Sequence, residues 1–346
     1  MSMNNLCGKI LKLAVVVSLI GTVSGAISAQ TTPPAKPSHP APWPATPRPV
    51  WPGVPAPPDG VTTERALTVD PNMNLTLCVV EGRVTVNGWG RPELRVLVRE
   101  GSPFVFKVKE KGKGDQPVWV TLVGTSSAGV GKAFPGCVTG EAVEVDLPTG
   151  ATLDLRGQET RTTVDTVKKA TIKNVGGNIS VRNVSDGITA STYEGDITVE
   201  ESKGSMQLDT TSGNIIAFSV GPSEIGDTFR VKTNSGVVSL QRLEHRQVEV
   251  GSISGAVYYS GPIQPAGAYS FGTNNGTVRL FLPNNTNCMI NATYGGSFAS
   301  ELPFKRGTED VRSGPVRSVN GTLGSGGDAL VRLTNNSGGI SIRKLP

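Results

Sequence analysis

A short phrase recurs along this chain: Thr, two residues, Gly, one residue, then Ile, Val or Phe. It occurs five times with Thr first, and variants with another first residue occur at Asn174 to Ile179 and at Ser252 to Val257. The glycines of successive copies are 18, 18, 23, 19, 21 and 20 residues apart. A period of roughly 20 residues is typical of stacked β architectures. These glycines are Gly177, Gly195, Gly213, Gly236, Gly255, Gly276 and Gly296.

The phrase has a physical logic. Thr ends a strand, a polar pair turns the chain, and Gly takes a positive φ without steric cost. Residues two apart after the glycine, such as Ile197 and Val199, then project to the same side and face inward. Intermediate glycines at Gly187 and Gly204 predict at least two strands per coil. The sequence therefore predicts an all-β, parallel β-helix-like solenoid with coils of roughly 20 residues over 150–346.

An antiparallel β-sandwich is the alternative. Turn signals recur every 8 to 12 residues or so, and Asp186-Gly187 and Asn275-Gly276 are favourable hairpin dipeptides. The period favours the solenoid, because a sandwich gives no reason for every second turn to repeat one phrase. Residues 61–149 alternate like strands but lack the phrase, and 101–145 fit it worst. They are assigned to an N-terminal β section that either precedes the solenoid or continues into it.

The N-terminus predicts export. Lys9 and Lys12 precede an apolar run, and small residues follow it, so 1–29 is interpreted as a signal peptide cleaved after Ala26 or Ala29. The run is shorter than the ~20 residues that span a bilayer. No transmembrane helix is therefore expected after cleavage, although a retained anchor is the alternative. The predicted location is the periplasm or the cell surface.

Residues 30–60 are rich in proline and are interpreted as a linker. Such a segment favours extended polyproline II, because proline lacks a backbone donor. It is expected to be a solvated spacer. The alternative is a ligand for an aromatic groove, with Trp43 and Trp51 as anchors.

The net charge limits the kinds of partner, and the cysteine content predicts a disulfide. Loss of Lys9 and Lys12 lowers the formal charge from +5 to +3. That balance does not predict a nucleic-acid partner. The exported chain keeps Cys78, Cys137 and Cys288, which predicts one disulfide and one leftover thiol. The favoured pair is Cys78 with Cys137, because both lie in the N-terminal section.

Several strings also resemble the bacterial "putative adhesin" family of β-strand-repeat proteins. The resemblance covers roughly 61–346 and is strongest after Leu147. It implies an exported repeat domain with β-helix-like structure, and it supplies no catalytic residues. The strings that carry it are Gly213-Asn-Ile215, Gly251-Ser-Ile-Ser-Gly255, Tyr269-Ser-Phe-Gly-Thr-Asn-Asn-Gly276, Leu280-Phe-Leu-Pro283 and Gly338-Gly-Ile-Ser-Ile342.

Candidate chemistry is sparse. After the linker the only histidine is His245, whose neighbours Glu244 and Arg246 predict a surface position. No Gly-x-Ser-x-Gly elbow accompanies it, so a nucleophilic triad is not expected. The cysteines and this histidine lack zinc spacing. We therefore expect no catalytic residues, no metal and no cofactor, and a non-enzymatic protein.

Asp196 is the acidic candidate. It follows a repeat glycine, as Asn178 and Asn214 do, and in-register coils would stack these side chains ~4.8 Å apart. One interpretation is a polar ladder that grips a sugar or an ion. The favoured interpretation is a ladder that caps the turns. The alternative function, a polysaccharide-active enzyme, would use Asp196, but no second carboxylate is predicted beside it.

Four other residues are candidate ligand contacts. Tyr193 and Tyr294 occupy equivalent positions in the phrase, where a ring could stack on a sugar or pack in the turn. Lys107 and Lys109 belong to a short basic row that could meet an anionic glycan or protect a sheet edge from aggregation. The expected partner is a cell-envelope glycan or protein.

Overall fold

The structure is a computed structural model that describes residues 62–126, 134–310 and 316–345, without the side chains of 308–310. The signal peptide, the linker, Trp43 and Trp51 lie outside the described residues. All described residues belong to one compact unit, Ala56–Pro346. Among them, no helix is long and apolar enough to cross a bilayer.

The described chain forms 25 strands in one hydrogen-bonded sheet, and a 3₁₀ turn at Lys113–Asp115. The strands up to the first regular coil are β1 (Thr63–Thr68), β2 (Asn74–Trp89), β3 (Glu93–Arg99), β4 (Phe104–Lys111), β5 (Pro117–Gly124), β6 (Ala142–Pro148) and β7 (Thr152–Asp165).

The central coils each contain a first strand and a second strand. In chain order these are β8 (Lys169–Gly176), β9 (Ile179–Arg182), β10 (Ile188–Glu194), β11 (Ile197–Glu200), β12 (Met206–Ser212), β13 (Ile215–Val220), β14 (Thr228–Ser235), β15 (Val238–Leu243), β16 (Gln247–Ser254), β17 (Val257–Ser260), β18 (Ala268–Asn275) and β19 (Val278–Leu282).

Six strands complete the C-terminal part. They are β20 (Cys288–Tyr294), β21 (Phe298–Ser300), β22 (Phe304–Asp310), β23 (Arg317–Leu323), β24 (Leu330–Asn335) and β25 (Ile340–Lys344).

The central coils stack in parallel and in register. First strands pair with first strands and second strands with second strands, so Thr192 is opposite Thr210 and Ile197 is opposite Ile215. The parallel pairing confirms the predicted solenoid, and the sandwich alternative is wrong for these coils. Inward side chains such as Ile197 and Ile215 are fully buried.

The threonine of the phrase ties neighbouring coils together. Its side chain is buried, and its hydroxyl donates to the carbonyl of the repeat glycine in the preceding coil. Thr210 Oγ1 reaches Gly195 O at 3.1 Å, and Thr273 Oγ1 reaches Gly255 O at 3.0 Å. A buried hydroxyl needs such a partner, and four threonines of the phrase obtain it in this way, whereas the buried Ser252 hydroxyl at the same position has no partner among the described residues.

The turn glycine is required by both conformation and space. Gly195 has a φ of 144°, and a Cβ there would lie 2.3 Å from Gly177 O. Each turn backbone therefore rests directly on the one below it, which only glycine permits.

The C-terminal coils depart from chain order. The strand β24 pairs in parallel with β18 on one side and with β20 on the other. Likewise β25 lies between β19 and β21. The last coil is therefore inserted between two coils that precede it in the sequence. The turn of Gly338 therefore lies between those of Gly276 and Gly296, against Gly276 O on one side and Gly296 on the other.

The N-terminal section is also out of order. The strand β2 is a full coil that pairs with β7 along its length and, on its other side, with β5 and β6. The described parts of 101–145, which fit the phrase poorly, therefore supply the coil beside β2 and the edge strand β4. The strands β1, β3 and β4 close this end through antiparallel pairing. The N-terminal section and the solenoid belong to one sheet, and the hydrogen bonding is not interrupted at the predicted boundary at residue 149.

A disulfide bond joins the coil formed by β2 to the neighbouring coil that contains β5 and β6. Cys78 on β2 is bonded to Cys137 in the segment between β5 and β6, with a Cα–Cα separation of 4.6 Å. This is the pairing that the sequence favours. The third thiol, Cys288, is buried, and burial raises its pKa to about 12.

Candidate functional site

An open depression of about 460 Å³ lies on the outer face of the first strands, across β14, β16, β18 and β24. Because side chains alternate along a strand, the buried Phe229 and Tyr269 offer only backbone to its floor. The lining residues are Thr228, Phe229, Arg230, Gln247, Val248, Glu249, Ala268, Tyr269, Ser270, Leu330 and Arg332.

Beside this depression the sheet surface is bare. Gly251 on β16 is paired with Gly272 on β18, and neither glycine has a positive φ. A Cβ on Gly251 would meet nothing within 4 Å, and one on Gly272 would make only ordinary contacts at 3.9 Å. We define the outer trough as the depression together with this glycine strip.

Neither turn geometry nor packing requires these two glycines. Glycine inside a strand weakens the strand, and it often marks a place where a ligand or another backbone approaches closely. Two such residues side by side expose a strip of backbone between Lys232 and Thr334. This strip is the feature that most distinguishes the outer trough from the rest of the solenoid.

The charge around the outer trough is mainly positive. One outward row runs Arg230, Glu249, Ser270 and Arg332 across four adjacent strands. Arg230 Nε lies 3.5 Å from Glu249 Oε2, and both side chains are about half exposed. Lys232 and Arg332 are exposed and form no ion pair within the described residues.

The inserted coil completes the outer trough. Leu330 and Arg332 both belong to β24, which lies against β18 only because the last coil is out of order. A sequential stack would place Met289 and Asn291 of β20 there instead. The composition of the site therefore depends on the order of the coils.

Beneath the outer trough lies a hydrogen-bonded aromatic cluster. The hydroxyl of Tyr269 donates to His245 O at 3.0 Å and accepts from Gln264 N at 2.9 Å. The ring of Tyr269 stacks on Phe271 with centroids 6.2 Å apart. These contacts hold the start of β18, and hence the floor, in a fixed position.

The prediction of a surface His245 is wrong. Its side chain is fully buried, Nε2 lies 2.9 Å from Gly204 O, and Nδ1 has no partner. Glu244 and Arg246 are exposed, and the connection between β15 and β16 directs the ring of the residue between them inward. Burial lowers the pKa of His245 and keeps the ring neutral.

Asp196 forms part of a ladder that caps the turns. Its Oδ1 accepts from Asn214 N at 2.7 Å, and its own backbone N donates to Asn178 Oδ1 at 3.0 Å. Asn214 Oδ1 continues the ladder by accepting from Val237 N at 2.9 Å. The carboxylate thus serves the scaffold, as the favoured interpretation of the sequence states.

The two tyrosines are not equivalent. Tyr193 is 59 % exposed, but Tyr294 is only 4 % exposed and stacks on Phe298. Tyr294, rather than Thr293, pairs with Asn335, in the column of Thr273. The strand before the turn of the last copy is therefore shifted by one residue, whereas Phe298 after the turn returns to the column of Val278. Tyr294 faces the core, and its assignment as a ligand contact is wrong.

The lysine row lies on the edge strand β4, which pairs only with β5 among the described strands. Lys107 is exposed, while Lys109 Nζ lies 5.6 Å from the Trp119 ring centroid and Lys111 pairs with Asp115 at 2.9 Å. Charged side chains on an exposed edge discourage pairing with another chain. The five predicted contact residues are therefore scattered, and none lines the outer trough.

A smaller depression of about 260 Å³ lies on the face of the second strands, between Tyr258 and Phe281. Arg279 lies over the Tyr258 ring at 5.8 Å. Within the described residues no group of three or more His, Cys, Asp or Glu side chains is placed to hold a metal ion. The outer trough is thus the larger of the two candidate sites.

Sequence reasoning missed the outer trough, although a signal was present. Gly251 and Gly272 are 21 residues apart, as Gly255 and Gly276 are, but they precede the turn phrase and fall inside strands. A repeated glycine that the turn does not need is the pattern to look for.

Comparison with known proteins gives a family and little more. No curated protein matches the chain. A solved structure titled "putative cell adhesion protein" from Clostridium sporogenes ATCC 15579 is 12 % identical, with 82 % of this chain and 100 % of that chain covered. Its TM-score is 0.24, and we conclude nothing about this chain from that similarity. The family described as Toastrack DUF4097 matches residues 107–343, and the chain therefore belongs to that family.

Proposed function

We propose that this protein is an exported, non-enzymatic binding module of the cell envelope whose ligand lies in the outer trough. The observation that supports this most is the pairing of Gly251 with Gly272 inside two adjacent strands. These glycines weaken the strands by roughly 0.5–1 kcal/mol each relative to Ala, although a Cβ would fit at both positions and neither φ is positive. A ligand that approaches the backbone would explain them.

The absence of catalysis is part of the proposal. Asp196, the acidic candidate, is engaged in the turn ladder through Asn214. Around the outer trough the only carboxylate of the lining is Glu249, and it faces Arg230. Paired acid and base chemistry on a glycan needs two carboxylates at a defined separation. Release of reducing ends from any bound glycan would contradict this part.

Export is proposed from the N-terminal sequence. Expression of the full chain followed by cell fractionation and N-terminal sequencing tests it, and a mature start at Gln30 or Ile27 is expected. Recovery of uncleaved chain from the cytoplasm would contradict it.

A substitution that fills the outer trough tests the binding role. Gly272→Val adds a β-branched side chain where space is open, so the fold should tolerate it. The matched control is Ser191→Val, an outward position of the same row on β10. On arrays of envelope glycans, wild type and control should bind alike and Gly272→Val should not. Equal binding by all three proteins, or binding by none, would overturn the proposal.

A further inference from the structure

We infer that the outer trough binds a linear acidic polysaccharide whose carboxylates are spaced along the chain and pair with Arg230 and Arg332. This rests on the proposed function above and names the class of ligand for the same site.

Charge points to an anion. Arg230, Lys232 and Arg332 border the outer trough, and Glu249 is the one acid among them. Arg332 has no acidic partner among the described residues, Lys232 faces Asp209 on β12 without forming an ion pair, and Arg230 shares its charge with Glu249 at 3.5 Å. An arginine that lacks a protein partner offers a planar, two-pronged donor for a carboxylate.

The spacing of the charges points to an extended ligand. Arg230 and Arg332 are three strand steps apart in one row, which is roughly 14 Å at ~4.8 Å per step. A chain that runs along the solenoid axis can present one carboxylate to each arginine. It would cross Ser270 between them.

Glu249 limits how densely the ligand can be charged. It lies in the same row between Arg230 and Ser270. An anionic group directly over it would be repelled, so carboxylates on alternate sugars fit better than contiguous anions. This argues for an acidic polysaccharide over polyphosphate.

The surface between the charges suits sugar rings. The bare backbone of Gly251 and Gly272 lets a ring lie close to the sheet. Ser270 and Thr334 flank the strip with hydroxyls that can pair with sugar hydroxyls. No aromatic side chain lies exposed along the described part of these rows, whereas single-stranded nucleic acid is held largely by base stacking.

The test measures binding of a labelled, short hyaluronan oligosaccharide to the full chain by fluorescence anisotropy. Hyaluronan carries its carboxylate on alternate sugars. Dextran of similar length, short polyphosphate and a single-stranded oligodeoxynucleotide serve as comparison probes. The variants are Arg230→Gln, Arg332→Gln and their double combination. The matched control is Lys173→Gln, an exposed cation on the same face without an ion pair among the described residues.

We expect hyaluronan to bind and dextran not to bind. Each arginine variant should weaken hyaluronan binding about 3- to 10-fold, the double variant should lose more than either, and Lys173→Gln should leave it unchanged. Added salt should weaken binding, because exposed charges are screened. Gly272→Val should abolish binding without lowering the melting temperature.

Other outcomes would overturn the inference in distinguishable ways. Equal losses in Lys173→Gln and Arg332→Gln would mean unspecific attraction to a basic surface. Tighter binding of polyphosphate or of the oligodeoxynucleotide would exclude a spaced acidic glycan. Binding of a neutral glycan that Gly272→Val abolishes but the arginine variants spare would leave the proposed function standing and remove the acidic ligand. No binding of any glycan would remove both.

Discussion

Between Lys169 and Leu282 each coil stacks on the coil before it in the chain, whereas the coil made by β24 and β25 lies between two coils that precede it. Both regions use the same parallel register and bury the same kind of aliphatic side chain. Val331 and Leu333 of the inserted coil are as completely buried as Leu208 of a central one. The inserted coil has Asn335 in the threonine column and no positive φ at Gly338, but its main difference from the central coils is the order in which the chain visits it.

This difference shows what a short repeat can specify. In the central coils the phrase fixes turn geometry and register, because both arise from contacts between one coil and any neighbour of the same shape. It carries no information about which coil becomes the neighbour. At both ends the order changes where antiparallel strands cover the stack, β22 and β23 at one end and β1, β3 and β4 at the other. These antiparallel strands cover the outer coils, and the edge strand β4 carries lysines that discourage pairing with another chain.

The largest loss of stability is expected from removing the inserted coil. A chain that ends at Gly324 lacks β24 and β25, whose side chains Val331, Leu333, Ile340 and Ile342 are buried. Each contributes ~1.5–3 kcal/mol. Because this coil lies inside the stack, we expect hydrogen exchange to accelerate in both 268–282 and 288–323, while 152–220 stays protected. In a sequential stack 268–282 would keep its protection, and that result would contradict the inserted position.

A smaller effect should separate the two kinds of glycine. Gly213 has a φ of 154°, and a Cβ there would lie 2.0 Å from Gly195 O, so Gly213→Ala should destabilise by roughly 1–3 kcal/mol. Gly272 has room and no positive φ, so Gly272→Ala should stabilise by roughly 0.5–1 kcal/mol. Urea unfolding of the two variants measures this contrast. A similar loss in both would mean that Gly272 is structural, and the case for the outer trough would fail.

The smallest effect concerns pH. Burial lowers the pKa of His245 from its ordinary value of 6.5, and nearby Asp227 and Glu244 only partly oppose this. Below pH 6.5 His245 is protonated in the unfolded chain but stays neutral in the folded chain. The free energy of unfolding should therefore fall as the pH drops, by at most about 1.4 kcal/mol per pH unit. Above that pH the residue should have no effect. The melting temperature should drop more between pH 7 and pH 5 in wild type than in His245→Phe. An equal drop in the two proteins would count against a buried neutral ring.

Much of the fold could be predicted from local chemistry. The Thr and Gly of the phrase satisfy polar and conformational needs that are visible in a few adjacent residues. The coils and the turn ladder of Asn178, Asp196 and Asn214 could therefore be predicted from the sequence. The coil order was not, since it depends on contacts between segments far apart in the chain. The same limit explains the error at Tyr294, which shares the phrase but not the register.

The site was harder to predict than the scaffold. Arg332 comes next to Ser270 only through the inserted coil, and no local pattern announces that contact. His245 was assigned to the surface from its charged neighbours, whereas the connection between β15 and β16 directs its ring inward to Gly204 O. The glycine pair was the one part of the outer trough that the sequence contained in readable form.

Disulfide trapping tests the coil order, and with it the outer trough, most directly. The outward residues Gly272 and Thr334 are register neighbours, and Thr334 is also a neighbour of Thr293. Adjacent strands place the first pair ~4.8 Å apart, within disulfide range, and the pair of Gly272 and Thr293 roughly twice as far. The double variant Gly272→Cys with Thr334→Cys should therefore oxidise quantitatively, as judged by peptide mass spectrometry, while Gly272→Cys with Thr293→Cys should not. The reverse pattern would contradict the inserted coil and the site that it completes.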